Sequence, residues 1–497
     1  MCGVVGVVDH KSVGLTLYDA LIMLQHRGQD AAGIMTEKKK QLFLRRKTGM
    51  INQVFRESRH VKHLKGMMGI AHTRYPTAGG FDRTQVQPFY VNSPCGLGLA
   101  HNGNLTNSAE LRDSIVHSGH RHINTESDSE VLLNVFARAL EKQVSERISV
   151  EAVFNAVRDV QKTCRGAYSV VVLIVGFGLV AFRDPFGVRP LCYGKKVDQG
   201  GQVSYMVASE SISLDVARFS RIGEVPNGAA VLITKDLELH QQVCAEERDL
   251  HPCLFEYVYL SRPDSVINDV SVFRARQNMG RKLGEQIRRE WADHDIDLVI
   301  GVPDTSRVAA SELARIIDRP YSEALIKNRY VGRTFIMSGQ EQRRRSIKRK
   351  LNMVASEVAG KNILLIDDSI VRGNTSREIV RMARNCGANR VYLASAAPQV
   401  CYPNIYGIDM PSTDELLTAH RSLEEARAYI GCDRLIYQTI EDLEASVREL
   451  NPALKHFEKS VFTGDYLPGD SPDDAFFDRL ERDRCDAARV KQRKTAV

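Results

Sequence analysis

The pattern of hydrophobic and polar positions changes in character near the middle of the 497-residue chain. Up to about residue 235, short apolar runs alternate with polar turns and amphipathic stretches. This mixture indicates sheets sandwiched with helices, one helix ending at Gly28 and another beginning with Ser and Asp, which favour helix starts. Strands are predicted in MCGVVGVVD, in GLGLAHNGN before a Gly/Asn turn, and in AYSVVVLIV, LVAFRDP and AAVLITKDLELHQQV; helices are predicted in LTLYDALIMLQHRG and SDSEVLLNVFARALEKQ.

A linker containing Pro252 leads to a second half that begins near Phe255. There, single strands alternate with helices, which is typical of a parallel, doubly wound sheet. We therefore predict an α/β protein of two domains, residues 2–235 and 255–470, with a charged and loosely ordered tail at 471–497. The predicted elements are the helix VFRARQNMGRKLGEQIRREW, the strand DLVIGVP, a helix from Ser306, the strand NILLIDDSIV, the helix SREIVRMARNCG and the strand RVYLASAAP.

The composition of the chain indicates the cellular compartment of the protein. The longest apolar stretch, from Tyr168 to Phe182, is too short to span a bilayer, and its glycines favour two buried strands with a turn between them. The N-terminus lacks a basic segment followed by an apolar one, which argues against secretion. Ten cysteines without a CxxC pair indicate reduced, mostly structural thiols. We therefore expect a cytoplasmic protein that does not bind a membrane.

The excess of positive charge is local. The net charge is +7, but the segment from Glu341 to Lys350 alone carries six basic residues and one acid, and the rest of the chain sums to +2. This concentration predicts a site for a polyanion and argues against a nucleic-acid-binding face, as do the sparse aromatic residues near it. The alternative for this segment is an exposed basic loop.

Candidate chemistry begins at Cys2. Because Cys2 is small, Met1 can be removed, which would leave Cys2 with a free α-amine. Such an amine has a pKa near ~8, and it can act as the base for the thiol without a histidine. By itself an early cysteine is weak evidence, and the alternative is a buried structural thiol.

Three polar segments, HRGQDAAG, GIAHTRYPTAGG and LAHNGNLTN, supply further groups that an amidase acting on glutamine needs. Arg74 can pair with the substrate carboxylate, and Asp128 in TESDSE can hold its α-amino group. The Asn102 side chain and the Gly103 amide are candidate oxyanion donors. Taken singly, these features could be a salt bridge, a helix cap and a turn. Together with Cys2 they favour catalysis.

The segments MCGVVG, HRGQD, HTRYPTAG and HNGNL resemble the N-terminal-nucleophile glutaminase domain of class II amidotransferases. The resemblance implies an αββα sandwich, in which two β-sheets lie between layers of helices, and removal of Met1. The implied residues are the catalytic Cys2, Asn102 and Gly103, and the glutamine-binding Gly28, Arg74, Thr77 and Asp128.

A second group of candidate residues lies in ILLIDDSIVRGNTS. An apolar strand ends in Asp367 and Asp368, and a turn at Gly373 leads to a helix start with Thr375 and Ser376. This arrangement suits a sugar phosphate, because turn amides, a helix N-terminus and hydroxyls can hold a 5′-phosphate. The two acids can bind ribose hydroxyls or Mg²⁺. The alternative is an acidic strand end without a ligand.

This string resembles the motif that binds phosphoribosyl pyrophosphate (PRPP) in type I phosphoribosyltransferases. VPDTS resembles the pyrophosphate-side loop, and KNRYVGRTFIMSGQEQRRRSIKRK resembles the lid over PRPP in amidophosphoribosyltransferases. We expect the lid, residues 326–350, to become ordered when PRPP and Mg²⁺ bind, because its like charges otherwise repel one another. The resemblance implies metal ligation by Thr305, Asp367 and Asp368, and PRPP binding by Asp367, Asp368, Arg372, Gly373, Thr375, Ser376, Lys327, Arg333 and Lys350.

From Cys2 to about Tyr466 the chain resembles the amidophosphoribosyltransferases. That family implies transfer of glutamine-derived ammonia to C1 of PRPP, giving 5-phosphoribosylamine in the first committed step of purine synthesis. It also implies one Mg²⁺ per subunit, feedback by purine nucleotides and a homotetramer. One branch holds an iron–sulfur cluster on four cysteines. Here Cys253 matches one position, but Asn404 replaces another and EKSVFTG lacks the cysteine pair, so we expect no cluster.

Two other functions compete with this one. Another class II amidotransferase, such as hexosamine-phosphate synthase or asparagine synthetase, would share only the first half, and DDSIVRG argues against it. A PRPP-binding regulator without catalysis would have no reason to keep Cys2, Arg74 and Asn102. Release of glutamate that depends on PRPP would separate the three.

Overall fold

The structure, a computed structural model, describes residues 1–75, 83–119, 121–144, 146–246, 248–328, 350–470, 476–478 and 480. Two predicted site residues, Thr77 and Arg333, lie outside the described residues. Most of the predicted lid at 326–350 and nearly all of the predicted tail at 471–497 also lie outside them. Expectations about these parts therefore stay predictions.

The first half of the chain is built on antiparallel strands. They are β1 (Gly3–Val8), β2 (Ala31–Lys38), β3 (Gln41–Thr48), β4 (Met68–Arg74), β5 (Phe89–Val91), β6 (Leu97–Leu105), β7 (Gly166–Ile174), β8 (Gly178–Arg183), β9 (Cys192–Val197), β10 (Val203–Ala208), β11 (Ser220–Glu224), β12 (Ala229–Thr234) and β13 (Leu239–Val243). Within the described residues they form two sheets, in the orders β11-β9-β10-β1-β4-β2-β3 and β13-β12-β8-β7-β6-β5. Cys2 therefore precedes an internal strand of one sheet, and Asn102 lies in the other.

Helices cover the outer faces of both sheets. They are α1 (Gly14–Met23), α2 (Ile51–Val54), α3 (Ser58–Lys62), α4 (Ser108–Gly119), α5 (Asp128–Gln143), α6 (Val150–Thr163) and α7 (Ser211–Val216). Side chains of α1 and α7 pack on the first sheet, and those of α5 and α6 pack on the second. Side chains of both sheets, such as Ile70 and Leu173, meet between them. The predicted αββα sandwich is confirmed.

Strand β7 shows why the sequence folds into these layers. Every residue of β7 is buried. Val170 and Val172 pack with the helical layer, whereas Val171 and Leu173 pack with the other sheet. Successive side chains of a strand point to opposite faces, so a strand covered on both faces needs a continuous apolar run. The apolar run predicted as two buried strands is confirmed as β7 and β8.

The second half of the chain alternates strands with helices. Its strands are β14 (Val266–Ile267), β15 (Val270–Ser271), β16 (Leu298–Gly301), β17 (Tyr321–Ser322), β18 (Leu325–Lys327), β19 (Leu351–Met353), β20 (Asn362–Asp367), β21 (Arg390–Ser395) and β22 (Arg434–Tyr437). Its helices are α8 (Val272–Glu290), α9 (Arg307–Ile316), α10 (Ala355–Val358), α11 (Asn374–Asn385), α12 (Leu423–Ile430), α13 (Ile440–Arg448) and α14 (Ser460–Thr463), after a π-helical turn at Glu256–Leu260.

A parallel sheet of order β17-β16-β20-β21-β22 forms the centre of this half in the described part of the chain. In β20, Leu364 and Ile366 pack with α8 and α9, whereas Ile363 and Leu365 pack with α11 on the other face. The predicted doubly wound sheet is therefore confirmed. Because its strands are parallel, the carboxyl ends of β16, β20 and β21 lie at one edge, where ligands bind in such folds.

One apolar cluster joins the two halves. Ala167 and Val188 of the first half pack with Tyr257, Ile405 and Tyr406 of the second. The halves therefore meet through buried side chains as well as through the linker. Within the described residues, no helix combines the length and the apolar composition needed to cross a bilayer.

Two local predictions need correction. The segment GLGLAHNGN does not end in a turn, since β6 continues through Asn102 and Gly103 and stays paired with β7. Asn and Gly are typical of turns because both tolerate positive φ. Here Gly103, at φ +146°, uses that freedom inside a strand. The predicted helix before Gly28 ends at Met23, and a short 3-10 turn, Gln25–Arg27, completes the path.

Candidate active sites

The first candidate site lies where the chain enters β1 beside β6. Cys2 is buried, its backbone N–H donates to Asn102 Oδ1 at 3.0 Å, and its thiol lies 3.6 Å from the Tyr75 carbonyl oxygen. Asn102 is fully buried, and its Nδ2 has no hydrogen-bond partner among the described residues. A buried donor without a partner is costly unless a ligand accepts from it. Its position beside Cys2 fits a donor for an oxyanion.

Gly28 packs directly against the end of β4. A Cβ on Gly28 would lie 2.5 Å from the Arg74 carbonyl carbon, so this close approach requires glycine. Thr73, which pairs with Gly3 of β1, donates through Oγ1 to the Gly28 carbonyl oxygen at 2.6 Å. Arg74 is buried, and its Nη2 donates to Gln85 Oε1 at 2.6 Å. The structure thus brings Gly28 and Arg74 together, and it adds Gln85, which the sequence analysis missed.

Asp128 is the first residue of α5 and contacts β6. Its Oδ2 accepts the Leu105 N–H at 3.1 Å and lies 3.8 Å from His101 Nδ1. The helix cap is Ser127, whose hydroxyl accepts a backbone N–H of the first turn. The Asp128 carboxylate therefore lies close to the strand that carries Gly103, and Ser127 takes the capping role considered for Asp128.

Two buried histidines next to the first site are neutral. Burial lowers the pKa of His72 to about 3, and burial also lowers the pKa of His101. His72 Nε2 lies 3.0 Å from the His101 carbonyl oxygen. The two histidine rings therefore add dipoles but no positive charge to the site at neutral pH. Dipoles suit a neutral amide whose negative charge develops only during the reaction.

A buried ion network lies beside Gly28, a predicted glutamine-binding residue. Arg27 pairs with Glu210 of the same half and, through Nη2 at 2.7 Å, with Glu256 of the second half. Arg189 Nη1 lies 3.5 Å from Glu256. All four side chains are buried, so their charges are compensated mainly by one another. Arg27 is separated along the chain by 183 residues from Glu210 and by 229 residues from Glu256, so no local sequence pattern could have revealed these contacts.

The second candidate site lies at the carboxyl end of β20. Asp367 ends the strand, and its Oδ1 accepts the Asp368 N–H at 2.9 Å. The Thr305 hydroxyl donates to Asp368 Oδ2. Burial raises the pKa of both carboxyls, and the neighbouring Asp368 charge raises the pKa of Asp367 further. Asp368 is buried and Asp367 is half-buried, and a bound cation would favour the ionised form of both carboxyls.

The predicted phosphate turn leads directly into α11. Gly373 has a φ of +71° and precedes the helix, and no side chain of the described residues caps its first turn. Ser376 is buried, and Thr375 is exposed. Arg372 forms an ion pair with Glu415. The uncapped helix start therefore lies beside the two acids, where its N–H groups can receive a phosphate.

The two ends of the predicted lid are joined by a short ladder. Strands β18 and β19 pair antiparallel, and the Asn328 N–H donates to the Lys350 carbonyl oxygen at 2.7 Å. Lys327 Nζ pairs with Asp304 of the predicted pyrophosphate loop. Lys327 and Lys350 thus lie at the base of the segment 329–349, which is outside the described residues.

The predicted metal ligands fit Mg²⁺ by their chemistry. Among the described residues, no group of three or more His, Cys, Asp and Glu side chains is arranged to hold a metal. The predicted set has two carboxylates and one hydroxyl, and Mg²⁺ usually binds one or two carboxylates together with substrate phosphates and water. At the positions considered for an iron–sulfur cluster, Cys253 is buried, and Asn404 accepts the N–H groups of Tyr406 and Ile408.

Two family models match the chain in the order of the two sites. A glutamine amidotransferase domain matches residues 81–215, and a phosphoribosyl transferase domain matches residues 274–402. Fold and sites together define a glutamine amidotransferase joined to a phosphoribosyltransferase.

Relatives match over nearly the whole chain. The chain is 51% identical to the amidophosphoribosyltransferase of Escherichia coli, over 100% of this chain and 98% of that protein. It is 47% identical to the Saccharomyces cerevisiae enzyme of that name, over 97% and 95%. Glutamine PRPP amidotransferase from B. subtilis, solved with ADP and GMP, matches with a TM-score of 0.83 and 34% identity over 95% of this chain and 98% of that chain. The chain belongs to the amidophosphoribosyltransferase family, whose members catalyse the glutamine-dependent first step of purine biosynthesis.

Proposed function

We propose that this chain makes 5-phosphoribosylamine from PRPP and glutamine, with Cys2 releasing ammonia and the strand end at Asp367 and Asp368 binding the acceptor. The observation that supports this most strongly is that one chain holds both sites. Asn102 contacts Cys2 in the first half, and Thr305 contacts Asp368 in the second. An amidotransferase for another acceptor would not need the second pair, and a regulator without catalysis would not need the first.

In the first half-reaction, the Cys2 sulfur attacks the amide carbon of glutamine. The carbonyl π electrons move to the oxygen, where Asn102 Nδ2 and the Gly103 N–H would stabilise the charge. The α-amine of Cys2 takes the thiol proton and passes it to the departing nitrogen, so that ammonia leaves and a thioester remains. Water then cleaves the thioester to glutamate and restores the thiol.

Removal of Met1 would create that α-amine from the Cys2 backbone nitrogen, which lies 3.0 Å from Asn102 Oδ1. The hydrogen bond would hold the amine next to its own thiol. Burial lowers the pKa of the Met1 amine to about 6, so this region of the protein favours a neutral amine. A neutral amine can accept a proton, as the proposed role requires.

Glutamine would be held by charges at its α-carbon end. Arg74 would pair with the carboxylate, and its contact with Gln85 supports a fixed guanidinium. Asp128 would accept from the α-ammonium group. Gly28, which has no side chain, would let glutamine lie close to the Arg74 backbone. Thr77 is assigned to the same pocket on the resemblance alone.

In the second half-reaction, the lone pair of ammonia attacks C1 of PRPP, and the bond from C1 to the pyrophosphate oxygen breaks. The nitrogen, now bonded to C1, releases one proton to give the amine. Thr305, Asp367 and Asp368 would hold Mg²⁺, which when bound neutralises charge on the leaving pyrophosphate. Water must be excluded on the way, because ammonium is not a nucleophile. The remaining PRPP contacts are proposed for Lys327, Arg333, Lys350, Arg372, Gly373, Thr375 and Ser376.

Regulation and assembly complete the proposal. The B. subtilis relative was solved with ADP and GMP, which supports feedback by purine nucleotides here. We further propose a cytoplasmic homotetramer without an iron–sulfur cluster, with one Mg²⁺ per subunit. The proposed domains are 2–235, 255–470 and the tail 471–497, and strand β13 continues the first domain's sheet beyond residue 235.

Isotope transfer tests the reaction. Purified protein would be given glutamine labelled with ¹⁵N in the amide, PRPP and Mg²⁺, and the phosphoribosyl product would be analysed by mass spectrometry. We expect one ¹⁵N at C1 together with equal amounts of glutamate and pyrophosphate, and loss of the product when EDTA is added. Label that remains in free ammonium while PRPP stays intact would overturn the proposal.

A further inference from the structure

The backbone of Gly103 is packed without any side chain between it and its neighbours. A Cβ on Gly103 would lie 2.0 Å from the Ala167 carbonyl oxygen of β7. A Cβ on Gly407, which belongs to the second half, would lie 2.7 Å from both the carbonyl carbon and the carbonyl oxygen of Gly103. The carbonyl group of Gly103, the residue whose N–H is the proposed oxyanion donor, is therefore in direct contact with the phosphoribosyltransferase half.

The loop that carries Gly407 has a fixed shape. Asn404 is fully buried, and its Oδ1 accepts the N–H groups of Tyr406 at 2.9 Å and Ile408 at 2.8 Å. Gly407 itself has a φ of +99°, a conformation that other residues rarely adopt. The Asn404 side chain thus closes residues 404–408 into a compact loop that presents Gly407.

Hydrogen bonds attach this loop to the first half immediately before Gly407. Asn104, next to Gly103, donates through Nδ2 to the Ile405 carbonyl oxygen at 2.9 Å. Buried Arg189 donates through Nε and Nη2 to the Tyr406 carbonyl oxygen at 2.9 and 2.7 Å. Two consecutive carbonyl groups are thereby held immediately before Gly407.

The segment leading to this loop begins at the phosphoribosyl site. Ser395 ends β21 opposite Asp367 of β20, and the Ala396 N–H donates to the Asp367 carbonyl oxygen at 2.9 Å. From Ala396 the chain reaches Gly407 in eleven residues. One short, largely buried segment therefore runs from the proposed metal-binding acid to the proposed oxyanion donor.

We infer that loop 404–408 of the phosphoribosyltransferase half positions the Gly103 amide, so that Gly407 and Asn404 are positioning residues for the glutaminase reaction. The inference rests on the proposed function, because Gly103 acts as an oxyanion donor only in that reaction. A donor must lie within about 2.7–3.1 Å of the developing oxyanion. A small displacement of Gly103 therefore lowers the rate of the glutamine reaction without touching the residues that bind PRPP.

The test replaces Gly407 by Ala, which forces the new Cβ against the Gly103 carbonyl group and so displaces Gly103. We expect kcat for glutamine hydrolysis in the presence of PRPP to fall about 10- to 100-fold, and KM for glutamine to change less than about twofold. Synthesis from added ammonia should stay within about twofold of the unmodified enzyme, which also shows that the variant is folded. The matched control is Gly431→Ala, at φ +81° with no atom within 4 Å of the added Cβ, which should keep both activities.

Binding of a tetrahedral adduct distinguishes a displaced Gly103 amide from a general loss of structure at the glutaminase site. The Cys2 sulfur adds to the carbonyl carbon of the aldehyde analogue of glutamine, the thiol proton passes to the aldehyde oxygen, and no group leaves. Gly407→Ala should weaken binding of this aldehyde about tenfold or more, and glutamate binding should remain unchanged. Asn404→Ala, which removes the acceptor that shapes the loop, should show the same split.

Two outcomes would overturn the inference. One is normal kcat for glutamine in Gly407→Ala, and the other is an equal loss of the glutamine and ammonia reactions in a folded protein. The variant Asn102→Ala distinguishes a failure of the loop assignment from a failure of the proposed function. If Asn102→Ala lowers glutaminase activity and Gly407→Ala does not, only the loop assignment fails. If the unmodified enzyme shows no glutaminase activity with PRPP, the proposed function itself fails.

Discussion

The glutaminase site and the phosphoribosyl site differ in how far the protein itself completes them. At the first, Asn102 is fully buried and accepts the N–H of Cys2, and its Nδ2 has no hydrogen-bond partner in the part of the chain that the structure describes. At the second, Asp367 and Asp368 are adjacent carboxyls with raised pKa values, and Lys327 at the lid base is 42% exposed. A neutral amide needs preformed dipoles, whereas PRPP with a metal brings its own charges.

This difference predicts which reactions each site controls. Changes at the glutaminase site should affect only the use of glutamine, because ammonia from solution can replace the product of that site. Changes at the phosphoribosyl site should affect synthesis from either nitrogen source. Measuring glutamine-dependent and ammonia-dependent synthesis side by side therefore distinguishes changes at one site from changes at the other.

The largest effect is expected for Cys2→Ala. Glutamine-dependent synthesis should fall at least about 10⁴-fold, because the variant has no nucleophile, while ammonia-dependent synthesis should persist. Both rates would be measured as pyrophosphate release. Cys95→Ala, which removes a half-buried thiol outside the site, is the control and should retain both activities. Substantial glutamine-dependent activity in Cys2→Ala would remove Cys2 from the mechanism.

The next effect is expected at the acids. Asp367→Asn or Asp368→Asn should lower synthesis from glutamine and from ammonia alike, by about 100-fold or more, because both need the metal-bound acceptor. Some basal glutaminase activity should survive. Asp236→Asn, an exposed change of the same charge, is the control. Normal synthesis in the two variants would show that Asp367 and Asp368 have only a structural role at the end of the strand.

A smaller effect, on stability, is expected where the two regions share charges. Glu256→Gln would leave Arg27 and Arg189 buried with one carboxylate fewer, and the free energy of unfolding should fall by about 3–5 kcal/mol. Glu110→Gln breaks an exposed pair with Arg165 and should change it by less than about 1 kcal/mol. Urea unfolding would measure both. Equal, small changes would show that the network does not stabilise the junction.

The smallest effect is expected in the pH dependence of the free energy of unfolding, through the buried, neutral His72. The pKa of His72 is about 3 in the folded protein and about 6.5 when unfolded, so the unfolded state binds the extra proton between these values. His72 thus contributes stability above pH 6.5 that is lost as pH falls, at up to about 1.4 kcal/mol per pH unit. His72→Asn should show a correspondingly weaker pH dependence of urea unfolding between pH 6.5 and 5.5. An unchanged slope would contradict the neutral assignment.

The architecture could be predicted from the sequence, and candidate residues for the phosphoribosyl site could be proposed, because the relevant signals are local. The continuous apolar run of β7 marks a strand with two covered faces. Asp367, Gly373 and Ser376 lie within ten residues, so one strand, turn and helix bring them together. Such groupings follow from the periodicity and turn chemistry of a single segment.

The contacts that the sequence did not reveal are long-range. Arg27 meets Glu256 across 229 positions, and nothing near either residue specifies the other. The close approach of Gly407 to Gly103 likewise depends on how the two halves dock. The turn predicted at Asn102 and Gly103 was wrong because pairing with β7 keeps both residues in a strand.

If two sites of different character act in one reaction, the release of glutamate and the release of pyrophosphate must be coupled. Glutamate and pyrophosphate would be measured over time with glutamine and Mg²⁺, with PRPP either present or omitted. We expect strong stimulation of glutamate release by PRPP and one pyrophosphate formed for each glutamate. Glutamate release at the same rate with and without PRPP, with no pyrophosphate formed, would contradict it.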